Sequence, residues 1–449
     1  MTSRQVAEDS SKLPTPPVNK TRLLAQTVAV KAVTVLLAAM ASVVISHALG
    51  PQGRGAYYVV TTVASTAIML GGLSLDRAQV TLWIDAPNRR AVTANSVGLG
   101  PVVGIVAAAV AAVIVVELGP SIVPIPGLGL LATALVAVPA GTTVIYVINV
   151  LTLRSQMNAV NRCYLVGALA QCLPLIALGL SGALSVGWVV IIWTMSMGVP
   201  LALLLPALRG SGAVPDLLLA RRTLGLGLRY HAGTAASYLL LRVDIFILNA
   251  LEPTTAAVGL YSLAVTLAEL TKLLTDAIVP VMMPEQVEAS ASQAASVTAA
   301  TVRMATLFSG VAIALMCLIA PALIPLTYGP AFRGAGPALI ALAPGLLALG
   351  ATNPVRTYLF RLSRPGPMSL MFIAVMAVNV SLNVALIPRF GIIGASLASS
   401  VAYALLAGAQ TRWFVKSTGT RPSDLIPGPA EIRLLRDRLP PLVAAYWPG

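Results

Sequence analysis

This sequence predicts an all-α polytopic membrane protein, and three observations carry the prediction. Of its 449 residues, 57% are hydrophobic and only 10% are charged, with a mean hydropathy of +0.87, which leaves too little polar surface to coat a soluble globule. The apolar residues fall in continuous runs rich in Ala, Leu and Val, each near the ~20 residues that one helical crossing of a bilayer takes. The motif that ends the first run, Leu49-Gly50-Pro51-Gln52-Gly53-Arg54-Gly55-Ala56-Tyr57-Tyr58, returns in looser form as Leu251-Glu252-Pro253 and Gly259-Leu260-Tyr261-Ser262. One membrane unit is thus used twice, the mark of a transporter-type fold with its site between the copies. A closed barrel would need alternating strands of about ten residues, a pattern these runs lack.

Read in order, the runs predict twelve helices. The first, 23–49, follows a Ser/Thr/Pro-rich segment and stops at Gly50-Pro51; the second, 55–75, ends before Asp76-Arg77. The third, 91–116, lies between Arg89-Arg90 and Glu117, the fourth, 122–152, ends at Arg154, and the fifth, 160–181, closes on Ser181-Gly182. The sixth, 185–208, is stopped by Arg209-Gly210. In the second half, 231–250 ends before Glu252-Pro253, 256–283 runs up to Pro284-Glu285, and 300–327 stops at Gly329-Pro330. The last three are 335–359, 367–387 and 391–415, divided by Arg361 to Pro365 and by Pro388-Arg389. The predicted organisation is a cytoplasmic tail (1–22), an N-terminal lobe of six helices (23–208), a cytoplasmic inter-lobe linker (209–230), a C-terminal lobe of six helices (231–416) and a basic cytoplasmic tail (417–449). Because six is even, the lobes are parallel repeats about an axis along the membrane normal.

The net charge of +14 reads as an orientation signal. With the N-terminus inside, thirteen arginines from Arg77 to Arg364 fall in cytoplasmic connections and ten Lys/Arg in the tails, against Arg54, Arg333 and Arg389 outside. That split of 23 to three predicts both termini in the cytoplasm. Charge spread over many short loops, without interleaved aromatics, argues against a nucleic-acid partner. In the second tail, 431–439 has helical apolar spacing suited to an anionic membrane surface, with a disordered basic tail as the alternative.

Cys163, Cys172 and Cys317 lie inside apolar runs and, with His47 and His231, form no metal-binding pattern,. No phosphate-binding loop is present, no cofactor is implied, and no outer connection is long enough for a catalytic domain.

Chemistry is expected where charge is kept at membrane depth, since each such group costs about 2.5–3.5 kcal/mol on insertion scales. The candidates are Lys31, Arg242, Asp244, Glu269, Lys272 and Asp276. Glu269, Lys272 and Asp276 are spaced to share one helix face and neutralise one another. Arg242 and Asp244, two apart, point in different directions, so one is expected to face the cavity between the lobes. Lys31 is the one ionisable residue placed at depth in the first six helices, about 10 Å inside. It either reaches an acid of the other lobe, leaves a bare cation for an anionic substrate, or snorkels to the surface. Asn379 and Asn383 share a face one turn apart, fit for interhelical hydrogen bonds or for a sugar. Arg54 is expected in the outer loop beside the cavity exit.

The motif around Gly50, Arg242-x-Asp244 with Gly259-x-Tyr261-Ser262, Tyr328-Gly329-Pro330-x-Phe332, and Asn379 to Asn383 with Leu386-Ile387-Pro388 and Gly391-Ile392-x-Gly394-Ala395 resemble the Wzx-type polysaccharide-biosynthesis flippases of the multidrug/oligosaccharidyl-lipid/polysaccharide (MOP) superfamily. The resemblance runs along nearly the whole chain. It implies a V-shaped pair of six-helix lobes in the bacterial cytoplasmic membrane that moves an undecaprenyl-diphosphate-linked glycan outward by alternating access. Lys31, Arg242, Lys272 and Arg54 would meet the diphosphate. Asp244, Glu269 or Asp276 would couple a proton or sodium gradient, and Asn379 and Asn383 would line the cavity. Glycosyltransferases or a polymerase of the same pathway would be partners. Three acids and three bases at depth keep open a MATE-like drug/cation antiporter. A glycan polymerase or ligase is disfavoured by the short outer connections, and a non-transporting scaffold with the same fold stays open.

Overall fold

The computed structural model describes residues 20–122, 127–208, 212, 214–252, 254–271, 290–362 and 365–429. Among the described residues the regular structure is helical throughout, with no strand. The first half holds α1 (Lys20–Gly71), α2 (Leu75–Trp83), α3 (Asn88–Ile122), α4 (Leu128–Leu135), α5 (Ala137–Leu153), α6 (Met157–Leu180), α7 (Val186–Gly198) and α8 (Leu201–Ala207). The second holds α9 (Leu217–Leu239), α10 (Val243–Leu251), α11 (Ala256–Thr271), α12 (Ala291–Tyr328), α13 (Ala335–Ala351), α14 (Asn353–Arg361) and α15 (Pro365–Thr418). Seven helices among the described residues are long and apolar enough to cross a membrane, and up to nine if each of two bent pairs is one span. The protein is a multi-pass membrane protein.

Two helices run far past the ~20 residues of one crossing: α1 has 52 residues and α15 has 54. Each is broken at a single glycine in the left-handed region, Gly50 (φ 62°, ψ −175°) and Gly391 (φ 53°, ψ −132°). A residue with a Cβ resists that conformation. The chain doubles back at both points. Arg54 bonds to Ser42, twelve residues earlier, although twelve residues of straight helix span about 18 Å. The predicted outer loop after the first helix is therefore a one-residue reversal, and the next helix restarts at Pro51, whose missing N–H costs nothing in a first turn.

Other boundaries shift for local reasons. The seventh predicted helix begins at Leu217 rather than 231, because Asp216 caps it by accepting from the Leu219 N–H at 2.9 Å,. This shortens the 209–230 connection by well over half. Helix α12 begins at Ala291 rather than 300, where Ser290 and Gln293 form a reciprocal capping box,. The predicted 231–250 helix is bent by 50° between α9 and α10, and the 335–359 helix by 40° between α13 and α14.

Buried apolar side chains gather mainly within each half. Val60, Ala64, Leu135, Val138 and Val190 form one first-half cluster, and Leu82, Val147, Leu151, Cys163 and Leu204 another. In the second half Ala264, Leu267, Tyr328, Phe332, Tyr358 and Phe414 belong to one large cluster, with the Tyr358 and Phe414 rings edge to face at 5.0 Å,. Two clusters join the halves: Leu219 of α9 belongs to the Leu82 cluster, and Val59 of α1 packs with Ile245, Leu248, Val258, Tyr261 and Ile387.

Small residues decide where the backbones meet, as expected when lipid removes the solvent drive for association. At the Gly50 end the contact is reciprocal. A Cβ added to Gly55 would fall 1.7 Å from the Thr255 carbonyl oxygen, and one added to Gly259 would fall 1.9 Å from the Pro51 carbonyl oxygen. The Thr255 hydroxyl also donates to the Gln52 carbonyl at 2.9 Å. The two copies of the repeated motif are thus pressed against each other. At the opposite end of α1, the Asn95 amide both accepts from the Asp216 N–H and donates to its carbonyl. There Ser74 meets His231 at 3.3 Å, and Gly227 lies against the Leu73 carbonyl.

Candidate functional site

Arg54 points back between the halves and is 1% exposed. It is not in an outer loop, as the sequence suggested, because the reversal at Gly50 puts it one turn into the returning helix. Its Nε donates to Ser262 Oγ at 3.1 Å, Nη1 to Ser42 Oγ and Ser46 Oγ at 2.9 Å each and to the Ser42 carbonyl at 3.3 Å, and Nη2 to Thr266 Oγ1 at 3.4 Å. No carboxylate lies among these partners. Three of the hydroxyls donate into their own helices, Ser46 to Ser42, Ser262 to Gly259 and Thr266 to Ser262, which turns their lone pairs toward the guanidinium. That orientation lets five neutral oxygens, four hydroxyls and a carbonyl, stand in for a counter-ion around a buried charge,.

One turn further along α1, Tyr58 accepts from Arg242 Nη1 at 3.2 Å, while Arg242 Nη2 pairs with Glu269 at 3.0 Å. The ion pair is half open, with 25% of the Arg242 and 53% of the Glu269 side chain exposed. Arg242 thus faces the seam between the halves. Asp244, two residues on in the first turn of α10, turns the other way, past the bend that holds Arg242. It is 1% exposed and accepts from the Tyr261 hydroxyl, from Ser399 Oγ at 3.0 Å and from the Ile245 N–H at 2.9 Å. All three donors are neutral.

Glu269 pairs with Arg242 across elements. Lys272 and Asp276, its expected neighbours, lie outside the described residues. Lys31 is exposed on α1 and has no ion pair among the described residues. Asn379 and Asn383 are fully buried and bond along their own helix, Asn383 Nδ2 reaching the Asn379 carbonyl at 2.9 Å and its Oδ1 at 3.1 Å. They neither bridge helices nor line an opening, because their common face turns inward; Asn379 Nδ2 and Asn383 Oδ1 find no partner among the described residues.

Several residues here escaped the sequence reading: Tyr58, Tyr261 and Ser399 as partners of the charges, and the hydroxyl cage of Ser42, Ser46, Ser262 and Thr266. The signal was present. Ser42 with Ser46, Ser262 with Thr266, and Arg54 with Tyr58 are each four apart, one turn on one helix face. Among the described residues no three of His, Cys, Asp and Glu come together as a metal would need.

No family model and no curated protein matches the chain. Solved structures do. It is similar to the lipid II flippase MurJ in an inward closed conformation, with a TM-score of 0.71 at 12% identity, over 89% of this chain and 88% of that one. It is similar to an inward-facing multidrug resistance MATE family transporter of the MOP superfamily, with a TM-score of 0.66 at 15% identity, over 86% and 94%. It is also similar to a mutant form of the MATE transporter VcmN from Vibrio cholerae, with a TM-score of 0.61 at 12% identity, over 90% and 99%. At such low identity the likeness concerns the fold, and the chain has the transporter fold that MurJ and the MATE proteins share.

Proposed function

We propose that this protein flips an undecaprenyl-diphosphate-linked oligosaccharide across the bacterial cytoplasmic membrane by alternating access, as a Wzx-type member of the MOP superfamily. The lobes of this reading are residues 23–208 and 231–416, both termini are cytoplasmic, and the Gly55–Gly259 contact is the outward seal. Glycosyltransferases or a polymerase of the same pathway supply and take up the glycan. The observation that carries the reading is the distribution of exposed charge. Asp244 is enclosed, so among the described residues the exposed charges at depth are Lys31, Arg242 and Glu269. Arg242 already engages the one acid of that set. Among the described residues Lys31 is left as a cation with no acid partner, suited to a phosphate group,. A lipid tail can stay in the bilayer beside the seam while the head group crosses.

Replacing Lys31 by Ala is expected to abolish translocation of a lipid-linked glycan in reconstituted vesicles while insertion and accumulation stay normal; transport at the parental rate would remove Lys31 from the site. Asp244 is the coupling residue of this reading. A carboxylate enclosed by neutral donors gains most from a proton or a monovalent cation. Asp244→Asn is expected to leave the protein folded and its transport unresponsive to an imposed proton or sodium gradient, and a variant that still answered the gradient would assign coupling elsewhere.

A further inference from the structure

We propose that Glu269 is an internal stand-in for the anionic group of the substrate, holding Arg242 until that group displaces it. The inference rests on the reading that the substrate carries a diphosphate. Three features of the pair lead to it. The contact is a single one, Arg242 Nη2 to Glu269 Oε1 at 3.0 Å, although a guanidinium can hold an oxyanion through two parallel bonds. It is also exposed, with more than half of the Glu269 side chain open, so it is weakly held and reachable by a ligand. The third feature is that the other acid and the other arginine here are closed to such an exchange. Asp244 is enclosed by Tyr261, Ser399 and its own backbone, and Arg54 is enclosed by hydroxyls.

A phosphate group offers several oxygens and more charge than a carboxylate, so it takes the guanidinium bidentately where Glu269 takes it through one oxygen. Displacement frees Glu269 and leaves Arg242 bonded both to the ligand and to Tyr58 of the opposite half. The carboxylate thereby sets a threshold of affinity. Weak monoanions fail to remove it and a diphosphate succeeds, which makes Glu269 a specificity-determining residue that need not touch the substrate in the bound state.

The test is calorimetric titration of inorganic pyrophosphate into the full-length protein in lipid nanodiscs. Glu269→Gln is expected to tighten pyrophosphate binding about two- to fivefold, the range that an exposed ion pair is worth, and Arg242→Gln is expected to erase that gain. Glu252→Gln removes the same charge from a half-buried acid with no guanidinium partner among the described residues, and is expected to leave binding unchanged. Equal or weaker binding in Glu269→Gln, or an equal gain in Glu252→Gln, would overturn the inference. If the parent protein translocates a diphosphate-linked lipid yet its affinity ignores position 269, this inference fails alone. Absence of pyrophosphate binding in every form, with binding of the cationic dye ethidium that Glu269→Gln abolishes, would overturn both readings and assign Glu269 to a cation.

Discussion

Replacing Gly259 by Ala is expected to force the two halves apart at the Gly50 end and to stop transport. The new methyl carbon would sit 1.9 Å from the Pro51 carbonyl oxygen, a backbone atom that no side-chain rotation can move away. Overpacking of this kind costs about 3 kcal/mol or more at its upper end, enough to shift a closed-to-open ratio by more than about a hundredfold. Gly55→Ala meets the Thr255 carbonyl from the other side and is expected to behave alike. In a cysteine-free background, spin labels at the exposed Leu180 and Phe390 would report the separation as a longer distance between the halves. An unchanged distance distribution in both alanine variants would show that the backbones do not need this approach.

The second large effect is expected at the hydroxyl cage. Ser262→Ala combined with Thr266→Val keeps Arg54 but removes both acceptors that the second half offers it. The guanidinium then faces burial with unmade hydrogen bonds, at about 1–3 kcal/mol each and more for a charged group. The closed arrangement is expected to lose tenfold or more in population by the same label distance. Adding Arg54→Leu to that background removes the stranded charge and is expected to recover much of the closure. This reversal separates the cage from a general loss of packing, since a merely structural defect would worsen with the third substitution. If the double variant closes like the parent, the hydroxyls are not what keeps the guanidinium buried.

These two sites also show how far the chain could be read from its letters. The repeated motif marked the internal duplication, and its glycines signalled a sharp turn. What no spacing rule could supply was that Gly55 and Gly259 meet each other, because they are about two hundred residues apart and their approach depends on how the halves pack. Arg54 illustrates the same limit. A lone arginine after Gly-Pro reads as a loop cation, and only the reversal at Gly50 turns it into the seam. The opposite directions of Arg242 and Asp244 were legible in their two-residue spacing, although Arg242 sits in the bend before α10 and not on its helix,. Which of them met water and which was enclosed was not. The contact of Glu269 with Arg242 joins two elements and leaves no spacing pattern along either one.

By itself, the sequence determined that the protein lies in the membrane and that it is helical, and it marked Arg242, Asp244 and Glu269 as charges set inside apolar runs. These follow from length, hydropathy and spacing, which act locally along a chain in a bilayer. The tertiary structure alone decided which of those charges face each other and which are enclosed. Arg54 among hydroxyls, Asp244 held by Tyr261 and Ser399, and Glu269 on Arg242 each join residues from different helices. Such pairings are set by the contacts that fix how helices sit beside one another, and no single helix records them.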